Sequence, residues 1–301
     1  MTAPGNSAYA RSIAPTSRMP AVFIGHGSPM NTLEHNEYTD AWRRLGASLP
    51  TPRAIVSVSA HWYIPYSAVT AMAKPRVIHD FFGFPDELFD FDYPASGAPD
   101  VAEEVAEIAK PVWVGLDVDG WGLDHGTWSV LAHLFPSADV PVVQLSVNAS
   151  KPLEDHFELG ARLSALRDRG VLILGSGNVV HNLGRIDWRQ PSGAYDWAQR
   201  FDEAARRSMT SDPASVVSLS EHSDYHAAVP MPDHLLPLLY VAGLAAADGA
   251  TAHIVVDGYT YGSISMTAYS VGIEPASEAH ADASAAPLPD PAEVAPEDTN
   301  T

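Results

Sequence analysis

Thirteen histidines and no cysteine stand in this 301-residue chain, and five of the histidines fall where chemistry is expected. His26 directly follows the apolar run Ala21–Ile24, inside Gly25-His26-Gly27. His61 follows the run Ala54–Ser59, inside Ala60-His61-Trp62. His181 comes after Val171–Leu174, beyond the turn Gly175-Ser176-Gly177-Asn178. His125 lies in Asp124-His125-Gly126 and His234 in Pro232-Asp233-His234, each near an expected helix start. In open α/β sheets, ligands collect at the carboxyl ends of strands. A lone strand-end histidine is more often a hydrogen-bonded structural residue than a ligand. Several at successive strand ends, bordered by small residues that let backbone pack closely, point instead to a metal site. Without thiols that site must use imidazole, carboxylate or amide oxygen, and imidazole suits zinc or non-haem iron. His222 and His226 have the i, i+4 spacing of a helical metal pair, but Ser220, Ser223 and Asp224 mark that segment as a loop. His35, His79, His133, His156, His253 and His280 are expected to be surface or structural residues, with His133 on a helix and His280 in a tail.

The elements that must position these residues alternate. Val101–Ala109, Leu153–Leu166, Asp196–Met209 and His234–Ala247 carry helical spacing, and a further helix starts near Thr127. Ala21–Ile24, Ala54–Ser59, Val140–Val147 and Val171–Leu174 are strand candidates; Thr251–Val256 and Ser263–Ser270 suggest a terminal hairpin around Asp257-Gly258. Strands alternating with helices predict an α/β fold: a single domain with a central, mostly parallel or mixed sheet flanked by helices. No linker-like break or internal repeat divides it. Residues 1–19 are rich in Ala, Ser, Pro and Thr and are expected to form a flexible arm; 20–273 form the domain; 274–301, acidic and Ala/Pro-rich without Lys or Arg, are expected to be a disordered tail.

Composition narrows the function classes. A net charge of −20 argues against nucleic-acid binding and against anionic membranes. No run is long enough to span a bilayer, and the first twenty residues lack a basic region followed by an apolar core. Cytoplasmic residence is the expectation, as a monomer or homodimer. Ser28 is a poor nucleophile candidate because Pro29 follows it, and Gly175-Ser176-Gly177 lacks the lysine of a phosphate loop. Trp62, Tyr63, Phe81, Phe82, Phe84 and Trp128 either line an aromatic pocket or, more commonly for such residues, fill the core.

Five ordered motifs then carry a specific resemblance. They are Ile24-Gly25-His26-Gly27-Ser28-Pro29-Met30, Ser59-Ala60-His61-Trp62, Asp124-His125-Gly126-Thr127-Trp128, Gly175-Ser176-Gly177-Asn178-Val179-Val180-His181-Asn182 and Pro232-Asp233-His234-Leu235-Leu236-Pro237-Leu238. Across Pro20 to Gly272 the chain resembles the LigB-like extradiol ring-cleavage dioxygenases, most closely their DOPA-dioxygenase branch. The resemblance implies an enzyme that inserts both atoms of O2 into a catecholic, DOPA-like substrate at a non-haem metal. It implies His26, His61 and His234 as metal ligands, with His181 as the second-sphere base that also approaches the metal and His125 facing the substrate. Where the protocatechuate-cleaving relatives have a glutamate, the third ligand here is His234, so ferrous iron is expected and zinc also suits the set. Asp124 is a candidate to orient His125, although adjacent side chains often point apart. Two other readings stand beside this one: a MEMO-like binding protein without enzymatic activity, and a zinc hydrolase on the same ligands, which needs a carboxylate base that the sequence does not identify.

Overall fold

The branched apolar runs of the chain pair into one sheet. The computed structural model describes residues 18–273. Its strands are β1 (Ala21–Gly25), β2 (Ala54–Ile64), β3 (Ala68–Thr70), β4 (Gly115–Asp117), β5 (Val142–Asn148), β6 (Val171–Gly177), β7 (His253–Val256), β8 (Tyr259–Thr260), β9 (Ile264–Ser265) and β10 (Ala268–Val271). Eight of them form a sheet in the order β4-β3-β5-β2-β6-β1-β10-β7, while β8 and β9 pair separately. The central neighbours β5-β2-β6-β1 run parallel, and antiparallel pairings of β3 with β5 and of β10 with β1 and β7 make the sheet mixed. Every residue of β1, β5 and β6 is buried, as expected for strands covered on both faces.

The helices are α1 (Glu37–Ser48), α2 (Asp86–Phe89), α3 (Pro99–Ala109), α4 (His125–Leu134), α5 (Leu153–Leu163), α6 (Asp196–Ser211), α7 (Tyr225–Ala228) and α8 (Leu236–Ala247). The period-two alternation of the strands divides the core between two faces. Phe23, Val56, Val143 and Ile173 pack with Val101 of α3, Leu159 of α5, Phe201 of α6 and Leu238 of α8. Val22, Ile55, Val142 and Leu172 pack with Trp42 of α1 and Trp128 of α4. α8 is apolar nearly all round because α5, the sheet and the Pro213–Glu221 turns surround it. No helix among the described residues is long and apolar enough to cross a membrane.

Some boundaries differ from those read in the sequence. The segment ending at Leu166 leaves the α-helix at Leu163 and closes as a 3-10 turn, Ser164–Arg169, with Gly170 left-handed at its end. The terminal hairpin does not turn at Asp257-Gly258: β7 and β10 do pair, but the β8–β9 hairpin is inserted between them. Its turn uses Tyr261 and Gly262, both at positive φ (50° and 80°), the twist that matches a tight hairpin. Arg18 and Met19 already belong to the packed structure: Arg18 pairs with Asp248 at 2.9 Å and Met19 is buried. The remaining arm, the tail and His280 lie outside the described residues.

Two buried histidines away from the site tie stability to pH. His156 donates from Nε2 to the Asn148 carbonyl (3.2 Å), while its Nδ1 meets the Tyr240 hydroxyl (3.1 Å). His133 Nε2 donates to the Asn31 carbonyl at 2.7 Å. Burial lowers both to about 4 from the ordinary 6.5. Because the folded values are depressed, the unfolded chain binds more protons between those limits. Their contribution is therefore complete above about pH 6.5 and is lost as pH falls towards 4. Each accounts for up to about 3 kcal/mol at about 1.4 kcal/mol per unit. Denaturation midpoints should drop across that window, and His156→Gln should flatten the drop; an unchanged slope would contradict the assignment.

Candidate metal centre

Three of the five histidines are delivered by neighbouring strands. β2, β6 and β1 lie side by side, and His26 follows β1 while His181 follows β6. His61 is not beyond its strand, as the sequence suggested, but inside it. Between Val58 and Tyr63, β2 advances five residues while β5 advances two, from Leu145 to Val147. That bulge re-aims the strand at the site. His125 opens α4, and His234 precedes α8 by two residues.

All five rings converge. His26 Nε2 and His61 Nε2 are 3.2 Å apart. His125 lies with its ring 3.9 Å from that of His61 and 6.0 Å from that of His26. The His234 ring is 5.3 Å from His26 and 5.0 Å from His61, and His181 stacks on it at 3.5 Å with planes 7° apart. Among the described residues, His26, His61 and His125 form the group whose ligand atoms all lie within 4.8 Å of one another. His222 and His226 stand outside; His222 Nδ1 accepts from the Asp224 backbone.

The far side of each ring decides what the near side can do. His26 Nδ1 lies 2.9 Å from Ser176 Oγ, and that hydroxyl donates to the Gly126 carbonyl, so it accepts from Nδ1–H. His61 Nδ1 is 3.3 Å from Asp80 Oδ2, an acceptor, and that contact favours the Nδ1–H tautomer. Both Nε2 atoms are then lone pairs pointed at each other. Two lone pairs at 3.2 Å repel unless a cation lies between them. Two nitrogens bound tetrahedrally to one ion at ~2.0–2.1 Å would be roughly 3.3 Å apart, so the pair fits a metal. His234 Nδ1 is likewise backed by a carboxylate, Asp233 Oδ2 at 3.1 Å. Such backing is the usual second layer of a histidine metal site.

Charge divides the rings. Burial, reinforced by His61 around His26, by His125 around His61 and by His234 around His181, holds these three imidazoles well below their ordinary pKa. Burial pulls on His125 too, but the Asp80 carboxylate 2.9 Å from its Nδ1 outweighs it and raises the value. Burial would raise Asp80, yet His125 and His61 hold it well below the carboxylate range. Asp233 falls to about 2, its burial outweighed by His234 and His181.

The sequence reading missed Asp80 and Ser176. Asp124 does not orient His125: it caps α4 through Thr127 N (3.1 Å), accepts from Ser59 Oγ (2.7 Å) and meets Gln144 and Trp121. Ser28 caps the Pro29–Thr32 turn, its hydroxyl accepting from the Met30 backbone N–H. Of the aromatic residues, Trp62, Phe81 and Trp128 are buried, Phe82 is exposed, and Phe81 sets its edge against His125 at 5.5 Å. Gly126 is required by close approach, since a Cβ there would lie 2.6 Å from Ser59 Oγ and 2.8 Å from His61 Cδ2. Gly126→Ala should displace His61 and cost about 1–3 kcal/mol in a thermal melt; an unshifted melt with normal metal content would contradict this.

The model of the catalytic LigB subunit of aromatic ring-opening dioxygenase matches residues 18–272. This chain belongs to the LigB family. It is 47% identical over 265 residues to the 4,5-DOPA dioxygenase extradiol of Escherichia coli K12, covering 86% of this chain and 97% of that protein. It is 33% identical over 255 residues to the 4,5-DOPA dioxygenase extradiol of Beta vulgaris, covering 82% and 94%. A crystal structure of an uncharacterized Escherichia coli K12 protein superposes with a TM-score of 0.75 at 44% identity, covering 85% of this chain and all of that one. As a LigB dioxygenase, the protein is an extradiol ring-opening enzyme that uses O2 on a small aromatic substrate at a non-haem metal. The MEMO-like and hydrolase readings give way to it.

Proposed function

We propose that this LigB dioxygenase opens the ring of a DOPA-like catechol at ferrous iron held by His26, His61 and His234. The carrying observation is the pair of Nε2 atoms that face each other at 3.2 Å, with an acceptor near the Nδ1 of each ring. His234, with Asp233 behind it, completes the set. The two relatives above, matched over nearly their whole lengths, support a DOPA-like substrate. Bound there, a redox-active divalent ion would supply coordination positions for the catechol oxygens and O2 and a route for electrons between them. Zinc fits the same nitrogens but has no redox chemistry, which favours iron.

The chain's own residues handle protons and position. His181, neutral and stacked on His234, accepts a phenolic proton as the catechol enters and can return it later. His125, its Nδ1 turned to Asp80, presents its other ring nitrogen towards the cluster and hydrogen-bonds the substrate. Burial of His26, His125 and His234 keeps bulk water from the reacting atoms. We assign the protein to the cytoplasm, as a monomer or homodimer.

Metal analysis separates the roles of the last two rings. His234→Ala should lose stoichiometric iron while His125→Ala keeps it and loses turnover. If His125→Ala loses the metal and His234→Ala retains it, the third ligand is His125. A catechol panel tests the substrate: DOPA should be turned over faster than protocatechuate, and the reverse order overturns the DOPA-like assignment.

A further inference from the structure

Asp80 lies in the irregular segment between β3 and α2, yet the residues around it are fixed. Val77 bridges to Leu123, and Ile78 donates to the Leu123 carbonyl at 2.8 Å. The Ile78 carbonyl accepts from the Trp128 indole at 2.9 Å, and His79 Nε2 donates to the Phe91 carbonyl at 2.9 Å. Phe81 is buried. From this anchorage the carboxylate reaches two imidazoles on two different elements. Oδ2 is 3.3 Å from Nδ1 of His61 on β2. Oδ1 is 2.9 Å from Nδ1 of His125 and also accepts from the His125 backbone N–H at 2.9 Å, at the start of α4.

We infer that Asp80 is a positioning residue that sets the tautomer and orientation of His61 and His125 together. A carboxylate only accepts, so these two contacts favour a proton on both facing Nδ1 atoms. The Nε2 atoms are then turned to the cluster, one towards the metal and the other towards the substrate. A single side chain thus locks a ligand and a substrate-facing group in one geometry, and disturbing it should disturb metal affinity and chemistry together. This inference rests on the ligand assignment for His61 proposed above, but not on which catechol is cleaved.

Asp80→Asn is nearly isosteric and retains one oxygen for the α4 backbone N–H. Its amide cannot accept from both rings, so His61 or His125 must turn over or change tautomer. Nitrogen-15 NMR of the metal-free proteins reads the tautomers, and competition with a chromogenic chelator reads Zn(II) affinity without requiring turnover. The parent should show Nδ1–H on both rings. Asp80→Asn should lose that signature on at least one ring and bind Zn(II) about 10–100-fold more weakly, the usual cost of removing a carboxylate behind a ligand. Asp124→Asn, which alters the other carboxylate at the start of α4, should lower the melting temperature yet leave both ring signatures in place.

Two results would overturn the inference. One is an unprotonated Nδ1 on His61 or His125 in the parent, which can be read even if the variant does not fold. The other is a folded Asp80→Asn that keeps both signatures and Zn(II) affinity within twofold. A parent that consumes no oxygen with any catechol while passing these tests would instead remove the ring-opening reading and leave Asp80's role standing.

Discussion

His181→Ala should bind iron and a catechol much as the parent does, yet turn over about 10²–10⁴-fold more slowly, the usual worth of a positioned general base. The expectation follows from where the ring lies. It stacks at 3.5 Å on His234, and burial, reinforced by His234, holds its pKa well below the ordinary value and keeps it neutral. A neutral imidazole beside the cluster can take a proton, whereas His125, raised by Asp80, is better placed to donate one. Exogenous imidazole should restore part of the rate. Catechols with a more acidic hydroxyl should suffer less, because they need less help losing the proton. Single-turnover and steady-state rates, set beside iron content, decide the matter: parent-like turnover removes His181 from the base role.

Loss of a ligand should be at least as severe. His61→Ala removes one lone pair of the facing pair and leaves Asp80 without one of its two ring partners. If a metal site's binding free energy of ~10–16 kcal/mol is shared among about four ligands, each is worth on the order of 3 kcal/mol, or about two decades in affinity. His26→Ala should behave alike, since its backing is equally specific. Iron content after dialysis against a weak chelator reads the effect. Retention of stoichiometric metal in both variants would show that the ion sits elsewhere.

The parts of this site that were legible from the sequence share one property: their signal is local. Ala21–Ile24 and Val171–Leu174 are short apolar runs, and glycine or small residues beside His26 and His181 mark the strand ends that carry them. The helices announced themselves by spacing, and the α/β class by alternation. What was missed depends on chain closure. Asp80 sits in a segment without periodicity, so nothing in Ile78-His79-Asp80-Phe81 distinguishes it from a surface acid until β3, α4 and the bulged β2 bring it to His61 and His125. Ser176 was visible only as a failed phosphate loop; its hydroxyl gains meaning from His26 and Gly126, 150 and 50 residues away. His61 was placed past its strand because a bulge leaves no mark in an apolar pattern.

Oxygen uptake by the parent enzyme tests ring opening most directly. The protein is reconstituted anaerobically with ferrous iron, supplied with a limiting amount of DOPA and opened to a known quantity of O2. One O2 should disappear per catechol, with a yellow semialdehyde-type product and no hydrogen peroxide, because both oxygen atoms enter the ring-opened chain. No uptake with DOPA, protocatechuate or any other catechol, or uptake that returns as peroxide, would contradict the assignment.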